Sequence, residues 1–314
     1  MQTLDPAAWT RWRHKELSDR FGPAPYELVR HIGRVNEAAA HAAVPAAAEA
    51  SDDFLIDVRA AMAELPQSVR NPLEVRLLGV YFARGLGCSA VTDVVVHDAE
   101  VVGCVVVLDI DVLAGRKANA WATWKENKPF SASGSAKLSV VIEVPGQDVR
   151  RNALQFILLH ELGHVLGTAG QFLPDWWIDP RELKQACDYA FLDFSWQIDA
   201  GKQIIPSESC SFSMRDSLVF YGSALLCEGD MVEAYEALRT TSFATLYGAG
   251  NPYDDFAECF ALYVHTVLMG KPYEVEISGD KTVVLCDSLS VVARCAEKYT
   301  FLEDLLHTTG TPSP

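Results

Sequence analysis

One stretch constrains this chain more than any other. Residues 154–166 form a mainly apolar run, and set inside it is His160-Glu161-Leu162-Gly163-His164. A segment this apolar is unsuited to a surface helix and belongs in a core. Burying two histidines and a glutamate there is costly unless something pairs with them. On an α-helix, positions i and i+4 share a face one turn apart. Two imidazoles so placed can grip one ion, and a bound cation would be the missing partner. Glu161 is rotated roughly 100° about the helix axis from His160. Its carboxylate can lean over the metal without ligating it, which suits a base acting on metal-bound water.

A catalytic zinc takes three protein ligands and keeps one position for water. The longer pattern that continues H-x-x-G-x-x-H would put the third ligand at position 170. Gly167 matches its glycine, but Gly170 has no side chain, so the ligand must come from elsewhere. Asn251-Pro252 is a good N-cap and first helical residue and predicts a helix from about 252 to 268. Asp254 and Glu258 lie four apart on it, and His265 follows close to three turns after Asp254, giving a polar stripe on an otherwise apolar helix. Asp254 is the expected third ligand, although an acid at the third helical position also suits the helix N-terminus. Asp255 is the next carboxylate if the helical phase is off by one.

A helical H-E-x-x-H followed by a distant helix carrying a second acidic motif resembles the gluzincin layout of zinc metallopeptidases. It is similar to the catalytic domain of anthrax lethal factor and the Mlc titration factor group, which have a Tyr-Gly before the second helix and an N-P-A-E-F-F-A run in it. Here Tyr247-Gly248 precedes Asn251-Pro252-Tyr253-Asp254-Asp255-Phe256-Ala257-Glu258. The resemblance implies one Zn2+ per chain, held by His160, His164 and Asp254, with Glu161 as general base. Asp254 stands where the family has a glutamate, one methylene longer. Glu258 would orient a ligand histidine from outside the metal shell. Tyr247 would face the reacting carbonyl; helical phase alone offers His265 for that role. The implied fold is α+β and zincin-like, a twisted mixed sheet packed on the H-E-x-x-H helix. The implied activity is peptide-bond hydrolysis through zinc-bound water. A zincin scaffold that binds metal but acts by recognition is the competing class.

Residues 1–70 are expected to form a helical N-terminal region, with 37–50 helical by alanine propensity. Residues 71–270 form the zincin-like domain with an insertion at 170–246, and 271–314 a C-terminal hairpin, helix and tail. Strands are expected in LEVRLLGVYF, TDVVVHD, VVGCVVVLDIDVL and KLSVVIEV. Asn119-Ala120-Trp121 is similar to the N-A-F-W edge strand of thermolysin-like enzymes, which binds a peptide by strand addition. A helix is expected near 181–197, another near 231–240, a hairpin turning at Gly279-Asp280, and a last helix over about 288–306. The eight cysteines include no C-x-x-C pair, so reduced thiols are expected. A net charge of −16 argues against nucleic acid or an anionic membrane as principal partner; the resemblance implies a peptide or protein substrate. No 18-residue apolar run and no signal-type N-terminus is present, so the expected location is cytoplasmic.

Overall fold

A computed structural model describes residues 9–38, 41–98, 100–132, 136–168, 170–279, 283–287 and 290–309. The fold is α+β. The chain divides into two compact units: the first takes residues 1–121, 147–166 and 307–314, the second 122–146 and 167–306. The N-terminal helices fall in the first unit, as does the mixed sheet. Among the described residues no helix is long and apolar enough to cross a membrane.

The first unit is built on a mixed sheet. Strands β1 (Phe21–Pro23), β3 (Leu77–Arg84) and β5 (Glu100–Asp109) run parallel, while β4 (Ala90–His97) closes one end antiparallel to β5, and the short β2 (Ala46–Ala47) pairs antiparallel with β3. Strand β3 is buried along its whole length except Arg84, as a parallel strand covered on both faces must be. Its Leu78, Tyr81 and Ala83 join Val95, Val105 and Val107 in a core that takes Leu28 and Ile32 from helix α1 (Tyr26–Ala38). Helices α2 (Asp52–Ala63) and α3 (Gln67–Arg76) follow. Helix α3 occupies the first half of the stretch LEVRLLGVYF, so β3 starts four residues later than expected. The alanine-rich segment is not helical past α1 among the described residues. Ala46 and Ala47 pair with Arg84 and Ala83, and the Ala48 amide donates to the Phe82 carbonyl at 3.2 Å. Pro45 cannot continue a helix, and strand pairing overrides alanine propensity there.

Helix α4 (Ala118–Glu126) replaces the expected edge strand at Asn119-Ala120-Trp121. Asp148 Oδ1 accepts from the Asn119 amide at 2.9 Å, satisfying a donor that the first helical turn leaves unpaired. Helix α5 (Arg150–Gly167) carries the H-E-x-x-H run. Its start is tied to α2 by Arg150, whose guanidinium bonds Asp53 at 2.8 Å and Asp57 at 2.6 Å.

In the second unit, β6 (Lys137–Val141), β7 (Glu274–Ser278) and β8 (Val283–Asp287) form an antiparallel sheet in the order β8-β7-β6. The β7–β8 hairpin is as expected, though Asp280 of its turn lies outside the described residues. An aromatic core joins Phe172, Phe191, Phe194, Phe256 and Phe301, with ring centroids 4.8 to 6.1 Å apart. Helix α6 (Met231–Arg239) is as expected. Residues 181–197 are not a helix: three short turns at Pro180–Glu182, Ala186–Asp188 and Leu192–Phe194 lead into a strand at Trp196–Ile198. Asp179 accepts from the Arg181 amide at 2.9 Å and Asp188 from the Gln185 amide at 2.9 Å. Such local side-chain bonds offer the backbone an alternative to helix. Helix α7 (Pro252–Leu262) passes into a π-helical segment, Tyr263–Leu268. The expected final helix is broken into Ser290–Arg294 and α8 (Ala296–Thr309).

Candidate metal centre

Helix α5 is buried on nearly every side from Asn152 to Leu166, with His164 the partly exposed exception. His160 is 8 % exposed and Glu161 5 %. The two rings stand almost perpendicular, at 83°, and their Nε2 atoms face each other 3.2 Å apart. Zinc–nitrogen bonds are about 2.0–2.1 Å, so two nitrogens at that separation subtend roughly 100° at a shared zinc, near the tetrahedral angle. The two nitrogens of α5 are thus close enough to share one metal ion.

Glu161 is held from the sheet. Thr92, on β4, places its hydroxyl 2.6 Å from Glu161 Oε2 and 3.1 Å from the Glu161 carbonyl. A hydroxyl has one proton to donate, and the shorter contact gives it to the carboxylate. A hydrogen bond to a charged acceptor is about twice as strong as a neutral one. Thr92 was not legible as a site residue. Alternation in TDVVVHD tells which residues share a face, but not which helix that face meets.

The acidic helix α7 belongs to the second unit. Asn251, in extended conformation, caps α7: its Oδ1 accepts from the Tyr253 amide at 3.0 Å and the Asp254 amide at 2.9 Å. Its Nδ2 donates to Asp254 Oδ2. Asp255 points the other way into the core. It is fully buried, with both oxygens 2.7 Å from Lys298 Nζ of α8 and Oδ2 also accepting from Trp196 Nε1 at 2.9 Å. Burial opposes the Lys298 charge, but Asp255 together with Cys259 and Cys295 holds the ammonium above its usual range. Asp255 is thereby committed to an ion pair and is not the ligand.

Glu258, one turn on and 1 % exposed, accepts at Oε2 from Lys125 Nζ at 2.6 Å and Thr245 Oγ1 at 2.8 Å. Thr245 Oγ1 in turn accepts from the Gly248 amide at 3.0 Å. A Cβ on Gly248 would lie 3.3 Å from Asp255 Cα, so the Tyr-Gly turn sits against the helix at a distance that suits glycine best. Tyr247 bonds the Tyr221 hydroxyl at 2.6 Å, and Lys125 Nζ stands 4.8 Å from its ring centroid. Beside Lys125, burial pushes the Glu126 carboxyl up, and Tyr235 donates to it at 2.8 Å.

His265 does not serve as a donor to a reacting carbonyl. It is 1 % exposed, and its Nε2 lies 2.9 Å from the Ile142 carbonyl and 3.1 Å from the Pro272 carbonyl. Two acceptors facing one nitrogen place the ring proton there. Burial, followed by nearby Lys271, lowers its pKa to about 4. The neutral ring ties the π-helical segment to the end of β6 and the approach to β7. The strand role of Asn119, Ala120 and Trp121 also falls: a helical backbone has no free ladder groups for a peptide. Trp121 is buried, donating from Nε1 to Ser89 Oγ at 3.0 Å and packing on Phe156.

His160, His164 and Asp254 each offer one ligand atom, and these atoms all lie within 4.8 Å of one another. This group can hold a metal ion. Comparison with protein-family models, curated proteins and solved structures returns no match for the chain.

Proposed function

We propose that the chain is a zinc-dependent peptidase, with zinc held by His160, His164 and Asp254 and with Glu161 as general base. The observation that carries the reading is the convergence of the two Nε2 atoms, 3.2 Å apart, in a group completed by Asp254. When bound there, zinc supplies a Lewis acid that polarises a carbonyl oxygen and acidifies water.

The chain's own residues do the rest. Glu161 Oε1 or Oε2 takes the proton of the attacking water and delivers it to the leaving amine nitrogen. Thr92 keeps that carboxylate in one orientation, so little is lost in reorganisation during the transfer. Tyr247 donates its phenolic proton toward the carbonyl oxygen as charge develops there, a role that rests on the resemblance to gluzincins. Peptide binding passes from Asn119-Ala120-Trp121 to β4. Among the described residues β4 is hydrogen-bonded only to β5, and it carries the threonine that touches Glu161. An extended peptide added to that edge would lie beside the base.

The test uses purified full-length chain. The expected results are one equivalent of zinc by elemental analysis, cleavage of a denatured protein mixture, and loss of cleavage with a chelator. Glu161→Gln should keep the zinc and lower turnover by about 10²–10⁴-fold, the usual contribution of a positioned acid–base group. Stoichiometric zinc without cleavage would leave a metal-binding recognition protein. Absence of zinc, or normal turnover in Glu161→Gln, overturns the proposal.

A further inference from the structure

We infer that Asn251 is a positioning residue for the metal ligand Asp254, in addition to capping helix α7. The inference rests on the zinc reading above and adds a residue to it.

A cap alone does not call for asparagine. Serine and aspartate cap about as well, because each needs only an oxygen that accepts from the first free amides. Asparagine differs in carrying a donor as well as an acceptor on one planar group. Both functions are used here. The Tyr253 and Asp254 amides, at 3.0 and 2.9 Å, fix which end of the group is Oδ1, since an amide nitrogen cannot accept from them. Nδ2 is therefore on the far side, and there it meets Asp254 Oδ2. In the usual capping box the third helical residue reaches back to the cap's backbone amide. Here it reaches the cap's side chain instead, and the two residues bond each other twice.

The consequence is orientation. Two torsions decide where an aspartate points, and the amide restrains both by holding one carboxylate oxygen. The rotation of α7 itself is locked from the next residue, where Asp255 is buried against Lys298 and Trp196. Helix phase and carboxylate orientation are thus set by separate partners on adjacent residues. Aspartate is shorter than the glutamate found in gluzincins, so it has less reach with which to correct a misplaced helix. A ligand with little reach gains more from being held in place beforehand.

The substitution that separates the two roles is Asn251→Ser, which keeps a capping oxygen and removes the donor. Zinc affinity of the metal-free full-length chain is measured by competition with a chromophoric chelator, using Zn2+ alone. The melting temperature is measured in parallel. The expected result is a 10- to 100-fold loss of zinc affinity, the range typical of removing a group that orients a ligand, with the melting temperature nearly unchanged. The same substitution in an Asp254→Asn background should cost almost nothing further, because Asn251 acts through Asp254. Asn251→Gly, which also caps and also lacks the donor, gives a second measurement should the serine variant fold poorly. Equal zinc affinity in wild type and variant overturns the inference while leaving the zinc site standing. So does an equal loss in both backgrounds, which would mean a general effect on the fold. Wild-type chain that binds no zinc overturns the proposed function and this inference together.

Discussion

Replacing Lys298 by methionine should destabilise the protein severely, and in a pH-dependent way. Lys298 and Asp255 are 1 % and 0 % exposed, and the ammonium lies 2.7 Å from both carboxylate oxygens. Methionine fills similar space but leaves Asp255 with Trp196 Nε1, at 2.9 Å, as its remaining polar partner among these contacts. Breaking a buried pair from one side typically costs about 3–5 kcal/mol. The carboxyl has an escape, which caps the cost: it can take up a proton. Burial already pushes Asp255 up against the pull of Lys298, and without the lysine that push is unopposed. Neutralising a carboxyl of ordinary pKa 3.9 at pH 7 costs about 1.36 kcal/mol per unit, or about 4 kcal/mol, and at pH 5 about 1.5 kcal/mol. The sign follows from proton counting. In the variant the folded state holds a proton on Asp255 that the unfolded state releases above pH 4, so its stability falls as pH rises from 4 to 7. Urea unfolding followed by circular dichroism at pH 5 and pH 7 measures this. The double variant Asp255→Asn/Lys298→Met should recover most of the loss at pH 7, because no buried charge is stranded. A Lys298→Met variant within 1 kcal/mol of wild type at pH 7, or equally destabilised at both pH values, would refute the reasoning.

Other predictions concern the same elements. The folded pKa of His265, about 4, lies below the unfolded value near 6.5, so its contribution is complete above pH 6.5 and is lost as pH falls toward 4. The loss amounts to about 3 kcal/mol, and His265→Gln, which keeps an N–H for the two carbonyls, should remove that slope from urea titrations between pH 4 and 7. Thr92→Val removes the donor to Glu161 while keeping the shape; a bond to a charged group is worth about 1.5–3 kcal/mol. The expected outcome is a 10- to 100-fold lower kcat, with zinc content and KM little changed; an unaltered kcat would show that Glu161 needs no such support.

How much of this was legible in the sequence depended on whether the deciding partner was local. The helix at His160 and His164, the cap at Asn251-Pro252 and the helix that carries Asp254 follow from spacing and capping rules, which act within one or two turns. That β3, β4 and β5 are strands was readable from β-branched runs for the same reason; their order in the sheet was not. Failures came where a distant residue decides. Alanines 46 and 47 are extended because β3 offers ladder partners, and Asn119 starts a helix because Asp148 caps it from 29 residues away. His265 looked like a free donor by helical phase, but its proton goes to Ile142, 123 residues earlier. A buried lysine such as Lys298 leaves no pattern at all, since its neighbours in sequence resemble any helix.

The acidic helix shows what that distinction means for function. Asp254, Asp255 and Glu258 occupy little more than one turn of α7, and concentrating three carboxylates there is unfavourable unless each is compensated. Sequence treats them as near equivalents, and only helical phase ranks them. The fold separates them by partner. Asp255 receives the buried ammonium of Lys298, and Glu258 the partly buried ammonium of Lys125. Asp254 receives the amide of Asn251, which orients a carboxylate without cancelling its charge. A negative group held in place by a neutral one, grouped with two converging imidazoles, is suited to a cation. Asp255 and Glu258 are thus each engaged by a lysine, while Asp254, bonded to Asn251, is the carboxylate that groups with His160 and His164. Replacing Lys298 should then leave the proposed zinc ligands unchanged, because Asp255 faces the core against Trp196 and takes up a proton instead; an added oxygen ligand in the X-ray absorption of a zinc-loaded Lys298→Met variant would refute this.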